Sequence, residues 1–237
     1  MKISVLIIAH NEEKYIGKCI KSILSQTKHP DEIVLLAHNC TDKTVEIAKG
    51  FPITIVPFNG ATGIINARLE GLNNVSGDII LCIDGDSFAK NNWIEIMTAT
   101  LENNKNVLVG SWVKFKGTIL GELYNMYSRH LRVSGKRKTA FWIWGASLAF
   151  WGKDKKFVQE TIKNSVALSN KINLPSSLED YWLAMLMSRR GNIEVTNKTY
   201  VTTSTKDVSS LEMIFREMTD RKSKRLINDY FEKIKEY

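Results

Sequence analysis

Cysteine is scarce in this chain, and its spacing pairs nothing. The 237 residues include three, Cys19, Cys40 and Cys82, an odd number with no Cys-x-x-Cys pair; this argues against a zinc site or a disulfide framework. Cys19 falls in an apolar helical pattern and Cys82 in an apolar strand pattern, so both read as buried thiols, and a reducing cytoplasm suits them. No run reaches the ~20 apolar residues that span a bilayer, which leaves a soluble or peripheral protein. The opening stretch, Met1 to Ala9, is apolar enough to suggest a signal peptide. It is short, however, and runs directly into the polar His10-Asn11-Glu12-Glu13 without a small-residue cleavage pattern, so it reads as a buried first strand. There is no internal repeat, low-complexity tract or obvious linker. Zinc-finger patterns, a helix-turn-helix and an arginine-rich arm are also missing, and no nucleic-acid partner is expected.

What is present is an ordinary globular balance, 43% hydrophobic and 24% charged, enough for one large α/β domain or a domain with a modest C-terminal extension. Lys and Arg number 33 against 25 Asp and Glu, a net charge of +8 and a pI near 9.3. Such a balance favours anionic partners such as nucleotides, nucleic acid or acidic lipid headgroups, without choosing among them. A lysine-rich genome composition would give the same excess.

Three apolar runs read as buried parallel strands: Ile3 to Ile8, Glu32 to Leu36 and Asp78 to Ile83. Between the first two, Ile16, Cys19, Ile20, Ile23 and Leu24 recur at helical spacing, and Pro30 closes the segment. Thr41 or Asp42 can cap a helix through Val45, Ile47 and Ala48 to Gly50. Ile53 to Val56 reads as a short strand, and Ile64 to Leu72 as another helix. Alternation of this kind predicts an open sheet wound with crossovers, whose ligands bind at the carboxyl ends of the strands. His10-Asn11, Ala37-His38-Asn39 and Asp84-Gly85-Asp86 therefore fall along one edge. From Gly110 the pattern weakens. Leu178 to Leu186 looks helical, and Ser209 to Tyr237 reads as one or two amphipathic helices.

The chemistry starts where Ile79-Ile80-Leu81-Cys82-Ile83 drives into Asp84-Gly85-Asp86. Residues two apart in an extended chain point the same way, so both carboxylates can face one ligand, with Gly85 allowing a tight turn. Hard divalent cations bind through one or two carboxylates plus substrate phosphates. An isolated Asp-x-Asp is weak evidence, since a loop with two solvated carboxylates looks the same; the buried strand before it strengthens the functional reading.

Further elements fall in order: Ser4-Val5-Leu6-Ile7-Ile8-Ala9-His10-Asn11-Glu12-Glu13, then Cys19 to Thr27, then Asn39-Cys40-Thr41-Asp42-Lys43-Thr44. Ala67-Arg68-Leu69-Glu70-Gly71, Gly77-Asp78, Asp84-Gly85-Asp86 and Glu179-Asp180-Tyr181-Trp182-Leu183 complete the series. On these motifs, over roughly residues 3 to 190, the chain resembles a family-two glycosyltransferase of the GT-A fold. The resemblance implies a Rossmann-like open mixed sheet with helices on both faces and a helical C-terminal extension. By it, residues 1–208 form the GT-A domain, with a nucleotide-sugar half of about 1–110 and an acceptor half of about 111–208. Residues 209–237 are the extension.

The resemblance also implies an inverting transfer from a nucleotide-diphospho-sugar, with Mn2+ or Mg2+ held by Asp84 and Asp86. Asp180 is then the general base, with Glu179 beside it. Acidic groups at a helix start fit the helix dipole, which explains them equally well as stability devices. Ala9, His10, Asn11, Glu12, His38, Arg68, Asp84 and Gly85 would contact the donor. Family members usually carry an acidic residue at the end of the second strand to bind the base. Here Ala37 and His38 stand there, so the identity of the base stays open: His38 is either a base contact or a neutral surface histidine. Arg68 suits a diphosphate or base, or a helix-surface salt bridge with Glu70 or a neighbour.

Phe141-Trp142-Ile143-Trp144-Gly145-Ala146-Ser147 lies where the family often builds its acceptor pocket, which makes Trp144, Gly145 and Trp182 candidate acceptor contacts; core packing is the other reading. The acceptor is a saccharide or a lipid-linked molecule. The cationic stretch Arg216 to Arg225 could bring peripheral contact with the inner face of a membrane, or pack on the domain with a solvated face. The Gln-x-x-Arg-Trp signature of processive members is missing, which disfavours long-glycan synthesis. The competing class is a catalytically silent module that binds a nucleotide sugar.

Overall fold

The computed structural model describes residues 1–103, 105–116, 143–172, 179–204, 225–226 and 229–230. Its centre is β1 (Ile3–Ala9), buried at every position. It lies parallel to β2 (Glu32–His38) on one side and β4 (Ile79–Asp84) on the other, with Val5 level with both Ile33 and Leu81. Near-continuous apolar runs are what strands covered on both faces require. Outside β2 runs β3 (Thr54–Phe58), also parallel and one residue displaced from its expected start.

The sheet continues past β4 in mixed directions. β7 (Ser147–Trp151) is antiparallel to β4, and β6 (Asn106–Lys116) is antiparallel to β7. β8 (Asn192–Ser204) runs parallel to β6, and short β5 (Ser87–Ala89) closes the edge against β8. The order across the eight strands is β3-β2-β1-β4-β7-β6-β8-β5.

Side-chain alternation along the strands divides the core. Ile3, Val5, Ile7 and Ala9 point to one face, where α1 (Ile16–Leu24), α2 (Thr44–Ala48) and α4 (Trp93–Glu102) pack. Leu6 and Ile8 point to the other, covered by α3 (Ile64–Asn73), α5 (Lys155–Lys171) and α6 (Glu179–Met187). Helices therefore sit on both faces of an open mixed sheet, as expected.

Cys19 and Cys82 are buried free thiols, and Cys40 is half-buried. Of the expected C-terminal extension, Arg225, Leu226, Asp229 and Tyr230 are described; the Tyr230 ring stands edge-on to Trp182 at 6.1 Å. Phe141, Trp142, Ser176 to Leu178 and the cationic Arg216 to Lys224 lie outside the described residues. No described helix is long and apolar enough to cross a membrane.

Candidate active site at the carboxyl edge of the sheet

The strand ends that the sequence placed along one edge do form one cleft. His10, Glu12, His38, Asp84, Gly85 and Asp86 line it, with the start of α3 (Gly63, Ile64 and Ala67) forming the opposite wall. Sequence reasoning missed that wall and Thr62 before it. The helix over Ile64 to Leu72 was expected, but nothing in its pattern told that its start would face the strand ends.

At the floor, the Gly85 N–H donates to the Ile8 carbonyl at 2.7 Å, drawing the end of β4 against β1. Gly85 is needed for space rather than for a left-handed turn: a Cβ there would lie 2.7 Å from Ala9 Cβ. The expected tight turn is also there, at Gly85 and Asp86 directly after β4. Asp86 Oδ1 accepts hydrogen bonds from Ser87 Oγ and Thr203 Oγ1, each at 3.2 Å. Thr203 comes from β8, which had no signal in the sequence.

Asp84 is the last residue of β4. Its Oδ1 is buried without a hydrogen-bond partner, 3.8 Å from Arg68 Nη2. Burial pushes the Asp84 carboxyl up to about 6; Arg68 pulls it down, while Asp86, Glu179 and Asp180 add to the rise. A carboxylate held in this state is poised for a positive ligand. Among the described residues no group of three His, Cys, Asp or Glu could hold a metal ion. Two carboxylates at one cleft floor, one with an orphaned oxygen, instead fit a hard cation whose shell is completed by substrate phosphates.

The loop at the first strand end is braced from α2. Asn11, at φ 54°, accepts the Thr41 N–H through Oδ1 at 2.8 Å, and the Glu12 N–H donates to Thr44 Oγ1 at 2.7 Å. Asn11 thus shapes the loop that presents its neighbours, and Ala9 is 1% exposed beneath it. His10 Nδ1–H donates to the His38 carbonyl at 2.7 Å. His38 is not the surface histidine of the alternative reading. It is buried, donates from Nε2 to the Ala61 carbonyl at 3.0 Å and stacks on Phe58 with centroids 5.6 Å apart.

Arg68 differs from both expectations. It is 3% exposed, and its ion-pair partners are Asp84 and Glu179 rather than Glu70. Nη1 donates to Glu179 Oε1 at 3.0 Å while Nη2 faces Asp84, joining residues 111 apart in sequence. Burial opposes its charge, but Glu179 and then Asp84 outweigh that and hold the guanidinium protonated. At the start of α6, Asp180 accepts the Gly145 N–H at 3.3 Å through Oδ2 and the Tyr181 N–H at 2.8 Å through Oδ1. Asp84, Glu179 and Asp180 therefore surround one guanidinium.

The expected acceptor residues divide. Trp144 is half-buried, edge-on to Phe115 at 5.5 Å. Gly145 sits against Arg68 and Asp180. Trp182 is a correction: it is fully buried and its Nε1–H donates to Ser169 Oγ at 2.9 Å, so it belongs to the packing of α5 on α6 and meets no acceptor. Two positions on from Asp180, Trp182 falls on roughly the opposite side of α6.

An open mixed sheet with two acidic residues ending a central parallel strand is the GT-A arrangement, and solved structures of that fold superpose on it. Glucosyl-3-phosphoglycerate synthase from Mycobacterium tuberculosis, solved with Mn2+, UDP and phosphoglyceric acid, matches with a TM-score of 0.57 at 21% identity, over 83% of this chain and 68% of its own. S. aureus TarS residues 1–349 with UDP matches at 0.58 and 19% identity, over 87% and 62%. The profile described as glycosyl transferase family 2 matches residues 4–161, and the chain belongs to that family.

Among curated relatives, glycosyltransferase GlyA of Streptococcus pneumoniae serotype 4 is 32% identical over 136 residues, 52% of this chain and 19% of GlyA. GlyG of the same organism is 24% identical over 181 residues, 71% of this chain and 60% of GlyG. AglE of Haloferax volcanii is 30% identical over 136 residues, 53% and 45% respectively. The matches thus span from about a fifth to three fifths of these relatives.

Proposed function

We propose that this chain transfers a sugar, with inversion at the anomeric carbon, from a nucleotide-diphosphate donor to the hydroxyl of a saccharide or lipid-linked acceptor. The observation that carries the reading is the gathering of Asp84, Glu179 and Asp180 around buried Arg68, next to a cleft floored by Asp84 and Asp86. Membership of the family and the UDP-bound neighbours support a nucleotide-sugar donor.

His10, His38 and Glu12 line the end of the cleft suited to the nucleoside, and Asp84 and Asp86 the end suited to the diphosphate. A divalent cation on that pair, Mn2+ or Mg2+, would supply charge stabilisation to the departing diphosphate. Inversion needs one displacement, so the attacking hydroxyl must lose its proton as it bonds. Asp180 Oδ2 is the acceptor for that proton. Its hydrogen bonds from the Gly145 and Tyr181 amides fix the direction of its carboxyl group. Trp144 offers an aromatic face to the acceptor, and the basic C-terminal segment offers contact with anionic lipid.

A panel of nucleotide sugars with Mn2+, read by release of nucleoside diphosphate and by the product's anomeric configuration, tests the reading. Asp180→Asn is expected to lower kcat by about 10²- to 10⁴-fold with donor binding unchanged. Asp86→Ala is expected to weaken Mn2+-dependent donor binding as well as turnover. Retention of the donor's configuration, or wild-type turnover by Asp180→Asn, would overturn it; release of no diphosphate from any donor would make the chain a binding module.

A further inference from the structure

We infer that Arg68 is a positioning residue, a buried strut that sets the separation between the diphosphate-side carboxylate Asp84 and the base-bearing start of α6, and that Gly145 is the cradle that seats it. The inference rests on the transfer reading above and deepens it.

Three observations carry it. First, Arg68 is 3% exposed and its two terminal nitrogens face protein carboxylates, Nη1 donating to Glu179 and Nη2 lying beside Asp84, while its Nε–H is buried without a partner. It reaches Glu179 at 3.0 Å and Asp84 at 3.8 Å, carboxylates on two elements that are not sheet neighbours and have no shared ladder to fix their distance. A planar fork with donors on both sides can hold two such groups at a set spacing, which a lysine's single ammonium cannot.

Second, Gly145 is shaped around that fork. A Cβ on residue 145 would stand 2.4, 2.7 and 2.8 Å from Arg68 Nη2, Nη1 and Cζ. The backbone therefore touches the guanidinium face, and any side chain there would displace it. Third, the same Gly145 donates its N–H to Asp180 Oδ2 at 3.3 Å. Arg68, Glu179, Asp180 and Gly145 thus close into a ring, to which Asp84 is joined through Arg68. The base does not float on its helix; its position relative to Asp84 is relayed through one cation and one glycine.

A strut of this kind acts on the chemical step, where a shift on the order of 1 Å costs about 10²-fold, and only slightly on donor affinity. The test compares Arg68→Met, Arg68→Lys, Gly145→Ala and Gly145→Ala with Arg68→Met in the full chain. It measures kcat, donor KM, and calorimetric binding of a nucleoside diphosphate with Mn2+, with circular dichroism to confirm folding. Gly145→Ala retains every charge and so reports even where loss of the buried cation unfolds the protein.

We expect Arg68→Met and Gly145→Ala each to lower kcat by about 10²-fold, with diphosphate binding within about 3-fold of wild type. The double variant should lose no more than either single, because both remove one strut; independent effects would multiply to about 10⁴. Arg68→Lys should recover part of the loss, keeping charge without the fork. Multiplicative losses, or weakened diphosphate binding with kcat unchanged, would overturn the inference and leave the transfer reading standing. A wild type that turns over no donor would remove the reaction, and this inference with it.

Discussion

Trp182 and Gly85 show how much a single side chain's surroundings decide about its role. An aromatic two residues beyond an expected base invites an acceptor role, yet Trp182 fills the space between α5 and α6 and spends its N–H on Ser169. Trp182→Phe should therefore cost about 1–2 kcal/mol of stability from the lost hydrogen bond and volume, and leave acceptor KM unchanged. Chemical denaturation with acceptor kinetics checks this; a raised acceptor KM in a stably folded variant would return Trp182 to the site. Gly85→Ala is the converse case. Its methyl would enter the contact with Ala9, an overpacking cost of about 1–3 kcal/mol. The β4 end would shift, so Mn2+-dependent donor binding should fall along with the melting temperature.

Elements far apart in sequence meet at this site, and β8 is the instructive one. Thr203 brings a hydroxyl to Asp86 Oδ1 from a strand 117 residues away. Groups that orient a metal-binding carboxylate typically cost about 10- to 100-fold in metal affinity when removed. Thr203→Val keeps the shape and deletes the donor. It is expected to raise the Mn2+ concentration for half-maximal donor binding by about 10-fold, as a fluorescence titration with a labelled nucleotide would show. An unchanged midpoint would mean that Ser87 alone orients Asp86. The loop between β2 and α2 illustrates the same dependence: Asp42 accepts the Glu13 and Thr44 N–H groups. Burial works against its charge, but the Thr44 hydroxyl and these amides outweigh it and hold the carboxyl below its usual range.

For the molecule as a whole, a polar clasp at the opposite edge of the sheet ties the starts of the central strands. Glu32 accepts from the Ser4 hydroxyl on β1, from the Ser76 N–H and hydroxyl before β4 at 2.9 and 3.1 Å, and from Lys2 at 3.4 Å. Burial alone would raise its pKa, but these bonds, Ser4's first, outweigh it and hold the carboxyl below the usual glutamate value. A carboxyl depressed on folding stabilises the native state above its unfolded pKa, and that stability is lost as pH falls through the folded value. Wild type should therefore lose melting temperature more steeply than Glu32→Gln below a pH of about 4.3, the unperturbed glutamate value. Thermal scans from neutral pH downward check it. A constant gap between the two curves would show that Glu32 binds its partners equally well when protonated.

The amino-acid sequence by itself determined the parallel half of the sheet and the edge at which the cleft opens. Short apolar runs such as Val5 to Ala9 and Ile79 to Ile83, bounded by turn signals, fit strands covered on both faces, and polar residues at their carboxyl ends then share a rim. The motif series carried the family, because local order along the chain survives where geometry is not yet known. Tertiary structure alone decided the reversed β7, the role of β8, the cleft wall from α3, and the burial of Arg68, His38 and Trp182. Each depends on which segments meet across long sequence separations, and neither periodicity nor composition encodes the partner of a single polar side chain. By its sequence Arg68 is a donor contact or a surface ion pair; the sheet brings Asp84, and α6 brings Glu179, to its guanidinium.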